Sequence, residues 1–329
     1  MPRSPASRRV IVIVFDGVQT LDATGPAEVF AVASREAGAA HYRVVVASVG
    51  GGERTTSSGL GLRTRDLRAI RPRANDLVVV AGGGDAPVVA AVRDRRLRAW
   101  LARAAPIVER VTSVCSGAFI LAAAGLLDGK RATTHWSACA ELARRFPAVT
   151  VDGNAIFVRD GAVWTSAGVT TGIDMALAIV EADHGRALAD RVAAQLVLYV
   201  RRPGFQSQWS DALVAQRAAG DPLGPAIAWA RGNLKRVDVD GLARHAGMSV
   251  RTLHRRCLAQ LGVTPAALID KLRVEHARSL LAAGDIAAKS LAAACGFGSS
   301  TRMNRAFARQ LGLAPRAFRV LHGAGHAAK

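Results

Sequence analysis

Near its C-terminus the chain spells one phrase twice. Gln260-Leu261-Gly262-Val263-Thr264-Pro265 returns fifty positions later as Gln310-Leu311-Gly312-Leu313-Ala314-Pro315. Upstream of each copy stand a Leu-Ala pair and a glycine: Leu242-Ala243 with Gly247, and Leu291-Ala292 with Gly296. Between that glycine and Gln-Leu-Gly lies a short helical pattern bearing arginine. A small-residue turn between two short amphipathic helices is the sequence form of a helix-turn-helix. Two such units in tandem predict a chain that presents two recognition helices to double-stranded DNA.

The rest of the composition fits that reading. A length of 329 residues predicts about two domains. No run of 18 or more apolar residues occurs, so no transmembrane helix and no membrane partner are expected. The apolar stretch 10–15 is too short for a secretory core and ends in Asp16, so it reads as a first strand. Four cysteines without paired spacing point to a reducing cytoplasm and against a disulfide framework or a zinc site. The formal charge is +19. Residues 220–329 hold 17 Lys/Arg against 6 Asp/Glu, while residues 1–219 hold 27 against 19. The excess is therefore densest where the repeat lies. A basic surface supplies the sequence-independent part of nucleic-acid affinity. Charge alone fits solvated basic faces equally well; the repeat is what turns it toward DNA.

The first two hundred residues alternate strand and helix. Strands are predicted at 10–15, 42–49, 77–81, 108–114, 150–151, 156–159 and 163–165. Helices are predicted at 24–37, with Thr24 as N-cap and Pro26 in the first turn, and at 87–104, 118–127, 171–184 and 187–200. The alternation implies an α/β doubly wound, flavodoxin-like domain over 8–202, with a mostly parallel sheet covered on both faces. Residues 203–222 read as a linker with one helix at 211–218. From there to 321 every pattern is helical, giving an all-α domain with two helix-turn-helix units. The run Gly82-Gly83-Gly84 lacks the spacing and following acid of a dinucleotide fingerprint, and no cofactor is implied.

In the first unit 239–246 leads, Gly247-Met248-Ser249 turns, and Ser249 caps a helix from 250 to about 260. Leu253, Cys257 and Leu261 face inward at four-residue spacing, leaving Arg251, His254 and Arg255 outward. In the second, 291–295 leads, Gly296-Phe297-Gly298 turns, and Ser299 or Ser300 caps. Met303 and Phe307 pack inward, leaving Thr301, Asn304 and Arg305 outward, with Ser300 at the helix start. Arginine pairs with guanine bidentately and asparagine with adenine. A helix over 264–283, with Leu268, Leu272, His276 and Leu280 along one side, joins the units. The turns differ in length: Gly247 to Gly262 is 15 positions, Gly296 to Gly312 is 16. With different outward residues as well, one chain is expected to read two unlike half-sites in an asymmetric or direct-repeat element.

Gly247-Met248-Ser249-Val250-Arg251-Thr252-Leu253-His254-Arg255-Arg256, Leu272-Arg273-Val274-Glu275-His276-Ala277-Arg278 and Ala294-Cys295-Gly296-Phe297-Gly298-Ser299 resemble the DNA-binding domain of the AraC/XylS regulators. The resemblance implies two recognition helices in successive major-groove segments. Cys257 departs from it, standing where that family carries an aromatic; Phe307 keeps the aromatic in the second unit. Less complete packing of the first unit is the expectation.

In the first domain, a strand ends in Val114-Cys115-Ser116-Gly117 and opens a helix, the layout of a nucleophile elbow. A thiol at a helix N-terminus is expected to have a lowered pKa, and elbow N–H groups could form an anion pocket. A buried structural cysteine is the alternative. Leu21-Asp22-Ala23-Thr24-Gly25-Pro26, Ser113-Val114-Cys115-Ser116-Gly117, Gly129-Lys130-Arg131-Ala132-Thr133-Thr134-His135-Trp136 and Thr165-Ser166-Ala167-Gly168-Val169-Thr170-Thr171-Gly172-Ile173-Asp174 resemble the ThiJ/PfpI superfamily, the class I glutamine amidotransferase-like fold. The enzymes nearest in pattern are isocyanide hydratases. That resemblance implies Cys115 as nucleophile and Asp22 as its acid-base partner. Proteases of the superfamily carry histidine directly after the cysteine; Ser116 stands here, so no adjacent Cys-His dyad exists. His135 is either part of the pocket or a structural partner of Trp136. Asp22 is either part of the pocket or a turn residue for the helix at Thr24.

The order of the two halves resembles the GlxA-type transcriptional regulators. It implies a sequence-specific DNA-binding regulator whose first domain, a retired enzyme, senses a small-molecule effector or forms a homodimer. The alternative is a hydratase using Cys115 fused to a DNA-binding domain.

Overall fold

The computed structural model describes residues 7–198, 202, 204, 208, 222–261, 263–284, 286–311 and 314–322. The chain divides into two compact units, Met1–Gln208 and Trp209–Lys329.

Two strands explain the first unit. In β1 (Arg8–Ile13) and β5 (Leu77–Val80), Val10 to Ile13 and Leu77 to Val80 are all buried. Side chains alternate across a strand, so burial on both sides means a covered central sheet. Ile11, Ile13, Val78 and Val80 enter one core, with Trp100, Leu101 and Phe119; Val10, Val12, Leu77 and Val79 enter the other, with Phe30, Met175 and Leu177.

The remaining strands are β2 (Tyr42–Ser48), β3 (Gly52–Thr55), β4 (Gly61–Asp66), β6 (Arg110–Val114), β7 (Arg131–Ala132), β8 (Thr150–Val151), β9 (Phe157–Asp160) and β10 (Val163–Ser166). Eight form one sheet in the order β3-β4-β2-β1-β5-β6-β10-β9. The pairs from β4 through β10 are parallel, with Ile11 opposite Val45 and Val78; the flanking pairs β3–β4 and β10–β9 are antiparallel. The doubly wound α/β expectation holds.

The helices of this unit are α1 (Thr20–Glu36), α2 (Asp85–Arg93), α3 (Arg95–Ala104), α4 (Gly117–Ala123), α5 (Cys139–Arg145), α6 (Thr171–His184) and α7 (Arg186–Gln195). Several differ from expectation: α5 lies where no helix was expected, and α4 and α7 end at Ala123 and Gln195, short of the expected 127 and 200. Helix α1 begins at Thr20, so Thr24 is no cap: its hydroxyl donates to the Thr20 carbonyl at 2.9 Å inside the helix, and Pro26 is internal. The stretch 87–104 is two helices, because Asp94 adopts an extended conformation and its side chain accepts from Arg96 N at 2.8 Å, capping α3. Strands β3 and β4 had no apolar alternation to reveal them; most of their residues are exposed or half-buried.

The second unit holds α8 (Leu223–Gly232), α9 (Val239–His245), α10 (Val250–Leu261), α11 (Pro265–Ala283), α12 (Ala288–Ala294), α13 (Ser300–Leu311) and α14 (Pro315–His322). Helix α11 touches all six others. Thr264 caps it, accepting from Ala267 N at 3.2 Å, and Pro265 fills the first turn, where no N–H is missed. Its packing is not the single stripe expected. His276 is exposed and Leu280 half-buried, while Leu268, Ile269, Leu272, Val274, Ala277 and Leu281 are buried. A connector packed between two units needs more than one apolar face, and a stripe at four-residue spacing describes only one. Residues 211–218, where a linker helix was expected, lie outside the described residues.

Candidate functional site

Cys115 sits between β6 and α4 with φ 56, in the left-handed region that few non-glycine residues adopt. The elbow needs open space on every side. A Cβ added at Gly168 would lie 2.5 Å from Cys115 Cβ, one at Gly117 would lie 2.3 Å from the Val80 carbonyl oxygen, and one at Gly82 would lie 2.7 Å from Ser116 N. These three glycines let β5, β6 and β10 bring their carboxyl ends around one sulfur, the place where open parallel sheets hold ligands.

Asp22 reaches the same point from the first turn of α1. It is fully buried, accepts from Val169 N at 2.9 Å and from Gly82 N at 3.2 Å, and lies beside Cys115. Both sequence readings describe it: Asp22 stands in the first turn of the helix and beside Cys115. Burial pushes the Asp22 carboxyl up to about 6, against the opposing pull of the two backbone donors. Burial, reinforced by Asp22, pushes the Cys115 thiol up to about 12. The expected thiolate is therefore corrected. Desolvation and a neighbouring carboxylate outweigh the helix terminus, and the resting species is a neutral thiol facing a carboxylate. The chemistry open to such a pair is base-assisted addition: the carboxylate takes the thiol proton as sulfur attacks an electrophilic carbon, then returns it.

The anion pocket is also largely spent. Gly82 N and Val169 N bond Asp22, Gly83 N bonds the Ser116 hydroxyl at 2.9 Å, and Gly168 N bonds the Thr171 hydroxyl at 2.7 Å. Ser116 uses its own proton on the Gly83 carbonyl at 2.8 Å, so it locks the elbow to the β5 loop.

His135 is half-buried; its described partners are the Ser137 hydroxyl, 2.7 Å from Nδ1, and the Trp136 ring. Burial lowers its pKa. The residue of that motif that contacts the elbow is Thr134, whose hydroxyl donates to the Cys115 carbonyl at 2.8 Å. Thr134, Gly82, Gly168 and Val169 are the site residues that sequence reasoning missed. Thr134, Gly168 and Val169 lay inside quoted motifs, Thr134 one position from the histidine that drew attention, and Gly82 opened the glycine run.

After Leu198 the described residues of the chain's exit run past this site. Arg202 forms an ion pair with Asp174 of α6 at 2.6 Å and donates to the Thr170 hydroxyl at 3.0 Å. The Gly204 carbonyl accepts from Phe157 N at 3.2 Å. Gln208 Nε2 lies 3.2 Å from the Thr133 hydroxyl and 3.1 Å from the carbonyls of Thr134 and Ala155.

In the second unit, α10 buries Leu253 and Cys257 completely, Leu261 being half-buried, and exposes Arg251, His254 and Arg255. Helix α13 buries Met303 and Phe307 and exposes Thr301, Asn304 and Arg305, with Ser300 half-buried at its start. Ser249 and Ser299 are the caps, each accepting a backbone N–H at 3.2 Å, from Thr252 and Arg302. Arg302 and Arg309 pair with Asp270 of α11 at 3.3 and 2.8 Å. The exposed candidates thus form two faces, one per unit, and none belongs to the Cys115 site.

Residues 8–182 match the model of the DJ-1/PfpI family, and residues 242–320 match a helix-turn-helix domain. The transcriptional regulator GlxA of Rhizobium meliloti is 30% identical over 294 residues, 87% of this chain and 88% of its own. The isonitrile hydratase of Pseudomonas putida is 35% identical over 199 residues, 60% of this chain and 82% of its own. A crystal structure of a ThiJ/PfpI family protein from Pseudomonas syringae superposes with a TM-score of 0.53 at 29% identity, covering 60% of this chain and 77% of its own. The chain belongs to the DJ-1/PfpI family and joins that domain to an AraC-type helix-turn-helix domain, the composition of a DNA-binding transcriptional regulator.

Proposed function

We propose that this regulator is a one-component sensor: a small electrophilic metabolite taken at Cys115 and Asp22 alters DNA reading by α10 and α13. The observation that carries this is the exit segment. Arg202 is tied to α6 and Gln208 to Thr134, both beside the Cys115 elbow, and Gly204 to the neighbouring strand β9, so whatever displaces Thr134 or the start of α6 also displaces the chain leaving for the reader. Arg251, His254 and Arg255 read one half-site; Ser300, Thr301, Asn304 and Arg305 read the other. The protein works in the cytoplasm as a homodimer built on the first domain.

The test uses the full chain on duplexes it selects from a random-sequence library. Affinity is measured before and after alkylation of Cys115 with iodoacetamide, the modified residue being identified by peptide mass. A change of about fivefold or more, the scale of ordinary coupling between sites, is expected in the wild type and not in Cys115→Ser. Equal affinity before and after sinks the sensing step.

One observation favours a second reading. A neutral thiol beside a buried carboxylate is equipped for base-assisted addition to an isonitrile carbon, and the first domain's likeness to isonitrile hydratase covers that pair. Hydration of aliphatic isonitriles to formamides, water attacking the carbon of the S-adduct and the thiol leaving as it regains its proton, lost in Cys115→Ala with DNA affinity kept, marks this chain as an enzyme as well.

A further inference from the structure

Both helix-turn-helix turns need a left-handed glycine, Gly247 at φ 61 and Gly296 at φ 75, but their surroundings differ completely. Nothing lies within 4 Å of a Cβ added at Gly247. A Cβ added at Gly296 would lie 2.0 Å from the Leu234 carbonyl oxygen and 2.8 Å from Lys235 Cα. The turn of the second unit is thus seated, backbone on backbone, against the segment that joins α8 to α9 in the first. The same carbonyl is held from the other side. Arg273 of α11 is 6% exposed, and its Nε donates to the Leu234 oxygen at 3.1 Å while its terminal nitrogen donates to the Val237 oxygen at 2.8 Å. These are carbonyls beyond the end of α8, a place where a basic side chain is favoured.

We infer that Gly296, the Leu234 carbonyl and Arg273 form a gauge that fixes the separation of the two recognition helices, and so are positioning residues for half-site spacing. The inference rests on both α10 and α13 reading DNA. Helix α13 starts four residues after Gly296, so a shift of the turn moves its reading end directly. Restoring an ordinary C···O separation of about 3.3 Å to an added methyl requires a displacement of roughly 1 Å at the seat. That is near a third of the ~3.4 Å rise of one base pair, enough to blur a register that depends on helical phase. The first unit has no reciprocal seat at Gly247, so the gauge acts from one side.

The experiment compares two alanine variants of the full chain that carry the same left-handed strain and differ in clash. The probe is the duplex that the wild type selects from a random library, remade with one base pair inserted or removed between the two contacted segments. The wild type is expected to lose about tenfold or more in affinity on either change, as for a mismatch in a specific site. Gly247→Ala keeps that penalty. Gly296→Ala flattens it to under about threefold, weakening the original duplex more than the altered ones. Should Gly296→Ala fail to fold, Arg273→Gln, which keeps a polar side chain of similar reach and loses the paired donation, is read on the same duplexes and is expected to flatten the penalty too. A spacing profile unchanged in the folded variant overturns the gauge. Selected duplexes with a single contacted segment overturn instead the two-helix reading on which it rests.

Discussion

The two candidate sites are built on opposite plans. The Cys115 site is half-buried, strained and saturated: four nearby backbone donors, a carboxylate and a hydroxyl are already committed. The reading faces of α10 and α13 are exposed, and the structure keeps their outward side chains out of the core. A site of the first kind perturbs its own groups before any ligand arrives. A site of the second kind leaves its groups hydrated until a partner arrives, so its energy appears only on binding. Substitutions should divide along the same line, the pocket through folding and the reader through affinity.

The largest expected effect is at Gly168, where φ is +114 and an added methyl meets the Cys115 backbone and side chain. Gly168→Ala should destabilise the first unit by about 3 kcal/mol or more, combining backbone strain with overpacking. Gly161, at φ 60 with nothing within 4 Å, provides the strain without the clash and should cost about 1–2 kcal/mol. Equal losses in denaturant titrations of the two variants would remove the crowding from the account of the elbow.

A pH effect follows from Asp22. Its folded pKa of about 6 lies above its ordinary value of 3.8, so the folded state holds a proton that the unfolded chain has released. Stability from this group is therefore full below about pH 4, falls as pH climbs to about 6, and is level beyond. A shift of this size corresponds to about 3 kcal/mol at most. The difference in stability between wild type and Asp22→Asn should carry that slope; a difference independent of pH breaks the assignment.

The reader gives the smallest effect on folding. Arg255→Ala and Arg305→Ala should each weaken the selected duplex by about 1–3 kcal/mol while leaving the melting temperature almost unchanged. Their losses should fall on different base positions. Uniform weakening on every sequence would recast either arginine as a phosphate contact.

The reader was legible because its information is local. Period, caps and turn glycines all lie within a few residues of the helices they define, and the extra residue in the second turn is Gly298, at φ 73. The parallel core was legible for the same reason, in the apolar runs of β1 and β5. The pocket was only half legible. Motifs named Cys115 and Asp22, but the protonation of the pair depends on burial, which joins residues 22, 82, 115 and 169 from four separate elements. Thr134 was passed over because a threonine has no chemical signature until its hydroxyl is seen on the Cys115 carbonyl. The break at Asp94 was hidden inside an arginine-rich helical pattern, where one capping aspartate changes nothing in the periodicity.

The ties of Arg202, Gly204 and Gln208 also say where this molecule can be cut. A hybrid regulator that borrows this DJ-1/PfpI half needs every residue through Gln208, since a junction placed before Arg202 removes the ion pair to Asp174 and the bonds to Thr134 and Ala155. A donor half truncated at Leu198 would keep its sheet and its thiol and lose its handle. The useful unit of exchange is therefore a domain together with its own strap, which sets the grafting point at Gln208 rather than at Gln195, the end of α7.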